Sequence, residues 1–591
     1  MIVPGEAKKK ADRVKWLIDT CRLSHQDRRT LYDRRRGYFL HGTAADKEII
    51  YNRIESHLDL VASFLYSADH ANFNLSASLN APEERVRQFL AAQDEFNEDL
   101  RDAGLFDAFG DAIVGALAFD SMILKAGWSN AAKEPTLTLI EPWKFGVFAE
   151  EITELADQQA FVHSYFIDYD MACQWLRRAG KVDRIKDLQV ANTPFESPFP
   201  ELITRMIISS TSGENLSGNI TGSVNPSYIA KPSYHAEVDR PLVEVHELYV
   251  WDEQQDAELE LEGDWRIFKV VDPDIIITDS KETLAAERRN LTKEMLKKAK
   301  TTTNSFLPGE HPFVHVCPYF IYEYFWGKAH IDALIPLQDW SNERLEQIHD
   351  ILDRQAYPPR VMSGFMGLSD EKAEAFGGAD SWVMDQLPSA TVNELSPKMP
   401  EDIFVDYMSI GNLFMEASGL TEVLQGKGSQ GVRSKGHAQT LAGVGSGRIK
   451  KAAVRLEAPL VRAGDLCLNL LKRNSTVEIV PNEHEGKPGK PFLYAELPEG
   501  YSMRIAGHSH SPLFADDTKE LAAFLTKAQL ADGENVLRLL NPPGRDQLIR
   551  SWRETQKRKA IQAAQNQRMG LAPDGRPLRG GARQRQALPA A

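Results

Sequence analysis

Cysteine is scarce in this chain. The 591 residues hold four, Cys21, Cys173, Cys317 and Cys467, too far apart for a Cys-x-x-Cys or Cys/His ligand set. That argues against structural zinc and for assembly in a reducing cytosol. No run of about eighteen apolar residues is present, so no membrane-spanning helix is expected. Met1 to Lys10 is polar and basic with no apolar stretch behind it, unlike a secretory leader. Catalytic signatures are missing too: there is no G-x-S-x-G, no H-E-x-x-H and no kinase set, and His508 with His510 lacks a third ligand at a useful spacing. The Asp516-Asp517 pair reads as a helix cap, not a metal site. Hence no catalytic residue, no metal site and no cofactor is expected, and the chain is not expected to be an enzyme.

What the chain does have is length and uneven charge. Its size calls for three or four modules at about 100 to 200 residues each, and 42% apolar with 26% charged residues is a globular composition. Residues 1 to 40 carry eleven Lys and Arg, including Arg28, Arg29, Arg34, Arg35 and Arg36, against five acids. Residues 545 to 591 carry eleven against three. The chain's net charge is −15, so with +6 and +8 at its ends the stretch between them carries −29. An acidic body does not wrap nucleic acid tightly, because binding depends on neutralising phosphates. It does suit a surface past which DNA slides without sticking.

Periodicity predicts an α+β fold. A basic helix is expected over 8 to 38, and a second over 46 to 67, where Ile50, Ile54, Leu58, Val61 and Leu65 step by three or four. A third begins at Pro82 and breaks at Gly104. The period then changes: 121 to 128 and 137 to 148 read as paired strands, and a helix is expected around Met171 to Arg178. Residues 197 to 233, rich in Ser, Thr, Asn, Gly and Pro, read as exposed. Strands resume at 241 to 253 and 264 to 280. A charged helix is expected over 281 to 300, further helices over Ile403 to Glu416 and Gln439 to Leu471, and two C-terminal helices, the second basic, before a Gly/Pro/Arg-rich tail after Gln567.

Two segments carry the most information. From Gly309 to Pro359 an apolar strand (Phe313, Val314, Val316) meets a chain reversal at Gly327 and then a long amphipathic helix. Leu334, Leu337, Leu345, Ile348 and Leu352 share one face of it, Gln338 and Asn342 form a Q-x-x-x-N pair, and Pro336 opens it near the first turn. From Gly419 to Arg448 the chain holds eight glycines. It is not a phosphate loop: Lys427 is followed by Gly428, and Thr421 stands where the first glycine of G-x-x-x-x-G-K-[ST] belongs. It reads as a surface linker or as a loop whose Lys427, Arg433, Lys435 and His437 touch a phosphate backbone without reading bases.

The order of these parts resembles the portal proteins of tailed bacteriophages over most of residues 10 to 560: YNRIESHLD, an α+β layer, EVHELYVWD, LPGEHPFVHVCPYF, the G-K-A-H turn with its long helix, the loop with S-K-G-H-A, and C-terminal helices. The resemblance implies a virion protein, assembled in the host cytoplasm as a homododecameric ring at one capsid vertex. Double-stranded DNA would pass through it during packaging and ejection. Large terminase, the head-tail adaptor, and the major capsid and scaffolding proteins would be its partners, with no membrane. It further implies a wing over 1 to 180, a clip with flanking strands over 181 to 325, and a stem helix over 326 to 360. A second wing part with a tunnel loop near 419 to 440 would occupy 361 to 511, a crown 512 to 567, and a disordered basic tail 568 to 591. Lys427, Arg433, Lys435 and His437 would face DNA in the channel, and the five stem residues would form the apolar face. An adaptor or scaffold, and a cytosolic nucleic-acid-processing enzyme with a cryptic site, are the alternatives.

Overall fold

The structure is a computed structural model. It describes residues 7–23, 25–43, 50–76, 82–192, 241–252, 264–271, 274–281, 310–356, 360–365, 386–394, 398–419, 447–481, 490–497, 501–505, 511, 515–528, 533–540 and 545–568. It mixes helix and sheet, as the α+β expectation requires. The basic N-terminal segment is two helices, α1 (Ala7–Arg22) and α2 (His25–His41), followed by α3 (Arg53–Leu65) and the short β1 (Phe73–Ser76). Asn52 caps α3 by accepting from the Ile54 and Glu55 N–H groups. Helices α4 (Glu83–Asp102) and α5 (Leu105–Phe119) meet at Gly104, whose φ of 67° is left-handed.

β2 (Met122–Ser129) and β3 (Glu134–Ile140) form a hairpin. β4 (Phe145–Val147), β5 (Ala160–Asp168), α6 (Tyr169–Arg178), β6 (Ala191–Asn192), β7 (Pro241–Asp252), β8 (Asp264–Val271) and β9 (Ile275–Asp279) come next. They build a six-stranded sheet in the order β4-β5-β7-β8-β9, with β6 also on β7. β7 is therefore an interior strand, antiparallel to β5 on one side and β8 on the other. α1 lies on this sheet through Val14, Leu17, Ile18 and Cys21, which pack with Ala160, Val162, Leu248, Phe268 and Val270. The basic N-terminus is thus a packed element, not a free tail: Lys10 pairs with Asp279, and Arg22 with Glu244 at 2.8 Å.

The rest of the chain returns to the first helices. β10 (Phe313–Val316) adds to the β2–β3 hairpin beside β2. α7 (Ile335–Ala356) leads to the antiparallel pair β11 (Arg360–Phe365) and β12 (Gln386–Glu394), then α8 (Ile403–Ser418) and α9 (Gly447–Asn474). β13 (Glu478–Ile479) pairs with β14 (Phe492–Leu493), and β15 (Ser502–Ile505) pairs with β1. α10 (Ala515–Lys527), α11 (Gly533–Leu540) and α12 (Arg545–Arg568) close the chain. One large core holds α3, α4, α5 and α9 together through residues such as Leu58, Phe96, Phe109, Ile113 and Leu456.

Three of the expected boundaries do not divide the fold. A cut at 180/181 would part β5 from β7, which are paired along nine residues. A cut at 325/326 would separate β10 and the buried Phe325 from Trp326, which packs in the same aromatic cluster. Sheet pairing and core packing cross both positions, so the described elements on either side of each are interlocked. A cut at 360/361 would fall inside β11. Asp516 and Asp517 lie in the first turn of α10 rather than before it.

Candidate functional site: a projecting helix–hairpin–helix unit

Gly327 sets the geometry of this unit. Its φ is +73°, and a Cβ there would lie 2.3 Å from the Cys317 Sγ and 2.8 Å from the Tyr319 carbonyl oxygen. Only glycine fits a reversal this tight. Behind it, the His330 N–H donates to the Leu117 carbonyl at 2.9 Å. A 3₁₀ turn at Ile331–Ala333 then feeds α7.

The N-terminal half of α7 is anchored by polar side chains. Gln338 Oε1 accepts from the Arg53 N–H at 3.0 Å, and its Nε2 donates to the Tyr51 carbonyl and to Asn342 Oδ1, both at 2.8 Å. Asn342 Nδ2 donates to the Gly42 carbonyl at 2.9 Å. Gln338, Ser341 and Asn342 are each fully buried. The Q-x-x-x-N pair therefore clamps α7 to the end of α2 and the start of α3, meeting backbone groups that an apolar side chain would leave unsatisfied.

The five residues expected to form an apolar stem face share one side, but their surroundings change along it. Leu334 lies before α7, at the end of the 3₁₀ turn, and is fully buried in the main core. Leu337, Leu345 and Ile348 are half-buried, and Leu352 is 47% exposed. The first correction is thus that Leu334 belongs to the body. The second is that the buried stretch of this side contains Gln338 and Ser341 as well as leucine. Among the described residues, α8 is the main neighbour of α7, with α3 and the 3₁₀ turn also in contact.

α8 repeats the pattern. Ile410 and Phe414 are fully buried, whereas Phe404, Val405 and Met408 are 51, 62 and 72% exposed. Arg344 on α7 ties the two helices by an ion pair to Asp406 at 2.5 Å. Beside it opens a cleft of about 470 Å³ lined by Arg344, Gln347, Asp350, Arg354, Asp402 and Asp406 among others. Its mixed charges compensate one another. Of the apolar residues Phe404, Met408 and Phe414 spaced along this helix, only the last is buried.

Lys427, Arg433, Lys435 and His437 lie outside the described residues, but both flanks of their segment are defined. α8 ends at Gly419 with φ +75°, and α9 begins at Gly447. Arg448 Nη1 donates to the Ala417 carbonyl at 3.2 Å, so the two flanks lie next to each other.

A second site feature was missed by sequence reasoning. Arg35 is buried between Asp120 and Asp332: Nη1 donates to Asp120 at 2.8 Å, while Nε and Nη2 grip Asp332 at 2.9 and 2.6 Å. Burial pushes the Asp120 carboxyl up to about 7, against the pull of Arg35. Arg28 stacks over Trp326 at 3.9 Å and pairs with Glu150 at 3.1 Å. Counted in the sequence only as part of a basic N-terminal run, these arginines fasten α2 to the approach to α7. Among the described residues no group of three or more His, Cys, Asp and Glu is placed to hold a metal ion, and no helix is long and apolar enough to cross a membrane. Comparison with protein-family models and with curated protein sequences gives no match.

Proposed function

We propose that this chain is a portal subunit: a ring-forming protein of a phage capsid vertex whose axial hole conducts DNA during packaging and ejection. The observation that carries the reading is the helix–hairpin–helix unit α7–β11/β12–α8. It is clamped at its base by Gln338 and Asn342, and it leaves Leu352, Phe404, Val405 and Met408 exposed in the subunit while Leu334, Ile410 and Phe414 are buried. Exposed apolar helix faces of this kind are covered by a neighbour in an assembly, and a heterologous contact that closes makes a ring.

On this reading the protruding element that docks a terminase motor and a head-tail adaptor is the segment between α7 and α8. Strands 241 to 253 are poorly suited to that role, because β7 is an interior strand held on both edges. The acidic middle of the chain fits a conduit from which DNA must be released. Capsid and scaffolding proteins would contact the outer surface.

Electron microscopy of the purified protein tests the reading. Twelvefold particles with an axial hole are the expected result. Monomers or dimers at every salt concentration would overturn it in favour of an adaptor, and nucleotide hydrolysis by such a species would favour an enzyme. Replacing the β11/β12 hairpin by a short Gly-Ser linker should leave rings intact and abolish motor docking.

A further inference from the structure

Helix α9 is strongly basic in an acidic chain. It carries Arg448, Lys450, Lys451, Arg455, Arg462, Lys472 and Arg473 against only Glu457 and Asp465. Arg448, Arg455 and Arg462 recur every seven residues, which puts them in one row with a rise of about 10.5 Å between neighbours. The row runs alongside the segment 310 to 322. Arg448 lies over the Tyr319 ring at 5.3 Å, and Arg455 over the Phe320 ring at 4.1 Å. Arg462 reaches Glu310 at 3.4 Å, so its charge is answered. The stretch left open is Arg448, Lys451 and Arg455, all three exposed. Tyr322, 79% exposed, follows Phe320 by two residues in sequence.

A ring beneath a guanidinium limits its freedom, and Arg448 is further held by its Nη1 bond to the Ala417 carbonyl, so little side-chain entropy remains to be lost when the exposed N–H groups bind an oxyanion. The field of the row is felt inside the protein. Burial is the main reason His330 and His315 are held neutral, and the positive charges of Arg448 and Arg455 add to it. Regularly spaced cations interleaved with aromatic rings match a repeating polyanion better than a single carboxylate or one phosphate.

We propose that the strip Arg448–Lys451–Arg455, backed by Tyr319 and Phe320, binds the phosphodiester backbone of nucleic acid without reading bases. It rests on the conduit reading for its place in an assembly, but its ligand chemistry is tested separately. The probe is a fluorescein-labelled duplex DNA of random sequence, titrated with the full-length protein by anisotropy over a salt series. Each phosphate contact adds about 0.9 to the slope of log affinity against log salt. Arg448→Gln with Arg455→Gln should therefore flatten the slope by about 2 and weaken binding about tenfold per arginine near 0.1 M salt.

Lys557→Gln with Arg558→Gln, on the exposed basic side of α12, should leave both quantities unchanged. Equal binding by the α9 variant, loss in the α12 variant alone, or no binding by the natural protein would each overturn the proposal. So would capture of polyglutamate in place of the duplex. Because Arg448 and Arg455 are exposed, the variant folds, which circular dichroism checks. Rings whose DNA affinity ignores α9 would sink only this inference; a monomer that binds through α9 would sink only the conduit.

Discussion

At the scale of single residues, glycines and buried amides hold the base of the projecting unit. Gly327 and Gly104 have similar positive φ, +73° and +67°, but differ in space: a Cβ at 327 meets Cys317 and Tyr319, while one at 104 meets nothing within 4 Å. Gly104→Ala should therefore cost only the left-handed penalty, about 1 kcal/mol. Gly327→Ala should add a steric clash and cost about 3 kcal/mol or more. Urea denaturation of both variants checks the contrast; equal losses would mean that packing at 327 relaxes freely. Gln338→Leu removes the partner of the partly buried Arg53 N–H and Tyr51 carbonyl and of the buried Asn342 Oδ1, and should cost about 3 kcal/mol by the same measurement. Both glycines were legible in the sequence as breaks between periodic segments. The role of Gln338 was legible only as an oddity of spacing, since its partners lie nearly 300 residues away in the chain.

At the scale of elements, the sequence read type well and surroundings badly. Strands 241 to 253 and 264 to 280 were found because alternation reports a two-sided strand. That same alternation gave no sign that β7 lies inside a sheet, because pairing partners are set by tertiary order. The arginines of α2 illustrate the limit: a charge run has no signature that separates a solvated face from a buried clamp such as Arg35 between Asp120 and Asp332. Helices α7 and α8 show it again, since a periodic apolar face says nothing about what covers it. Phe404→Glu with Met408→Glu places charge on side chains more than half exposed in the subunit. Folding stability should stay within about 0.5 kcal/mol, as for ordinary surface changes, while the particles seen by electron microscopy should fall from rings to single subunits. Intact rings from this variant would show that α8 faces solvent in the assembly.

At the scale of the whole molecule, buried histidines set the response to acid. Burial holds His246, His311 and His315 down at about 3 and His330 at about 4, with Arg22, Arg462, Arg455 and Arg448 respectively adding to the effect. An unfolded chain takes up protons on these four near pH 6.5, whereas the native protein does not until far lower. Stability therefore falls as pH drops below about 6.5 and goes on falling towards 3 to 4. Two buried carboxyls oppose this. Asp120, at about 7, and Asp465, at about 6, are raised by burial, so the native state binds protons there that the unfolded chain does not. Counting these six groups alone, the balance near pH 5.5 is about two extra protons on the unfolded chain, a loss of about 3 kcal/mol per pH unit. His315 is the cleanest probe: its ring stacks on Phe325 at 4.1 Å, and its buried Nε2 has no hydrogen-bond partner. His315→Phe keeps a ring of similar size and removes one titrating group. It should flatten the dependence of the urea midpoint on pH by about one proton, or about 1.4 kcal/mol per pH unit. An unchanged slope would mean that His315 is protonated in the native state, with a counter-charge drawn in beside it.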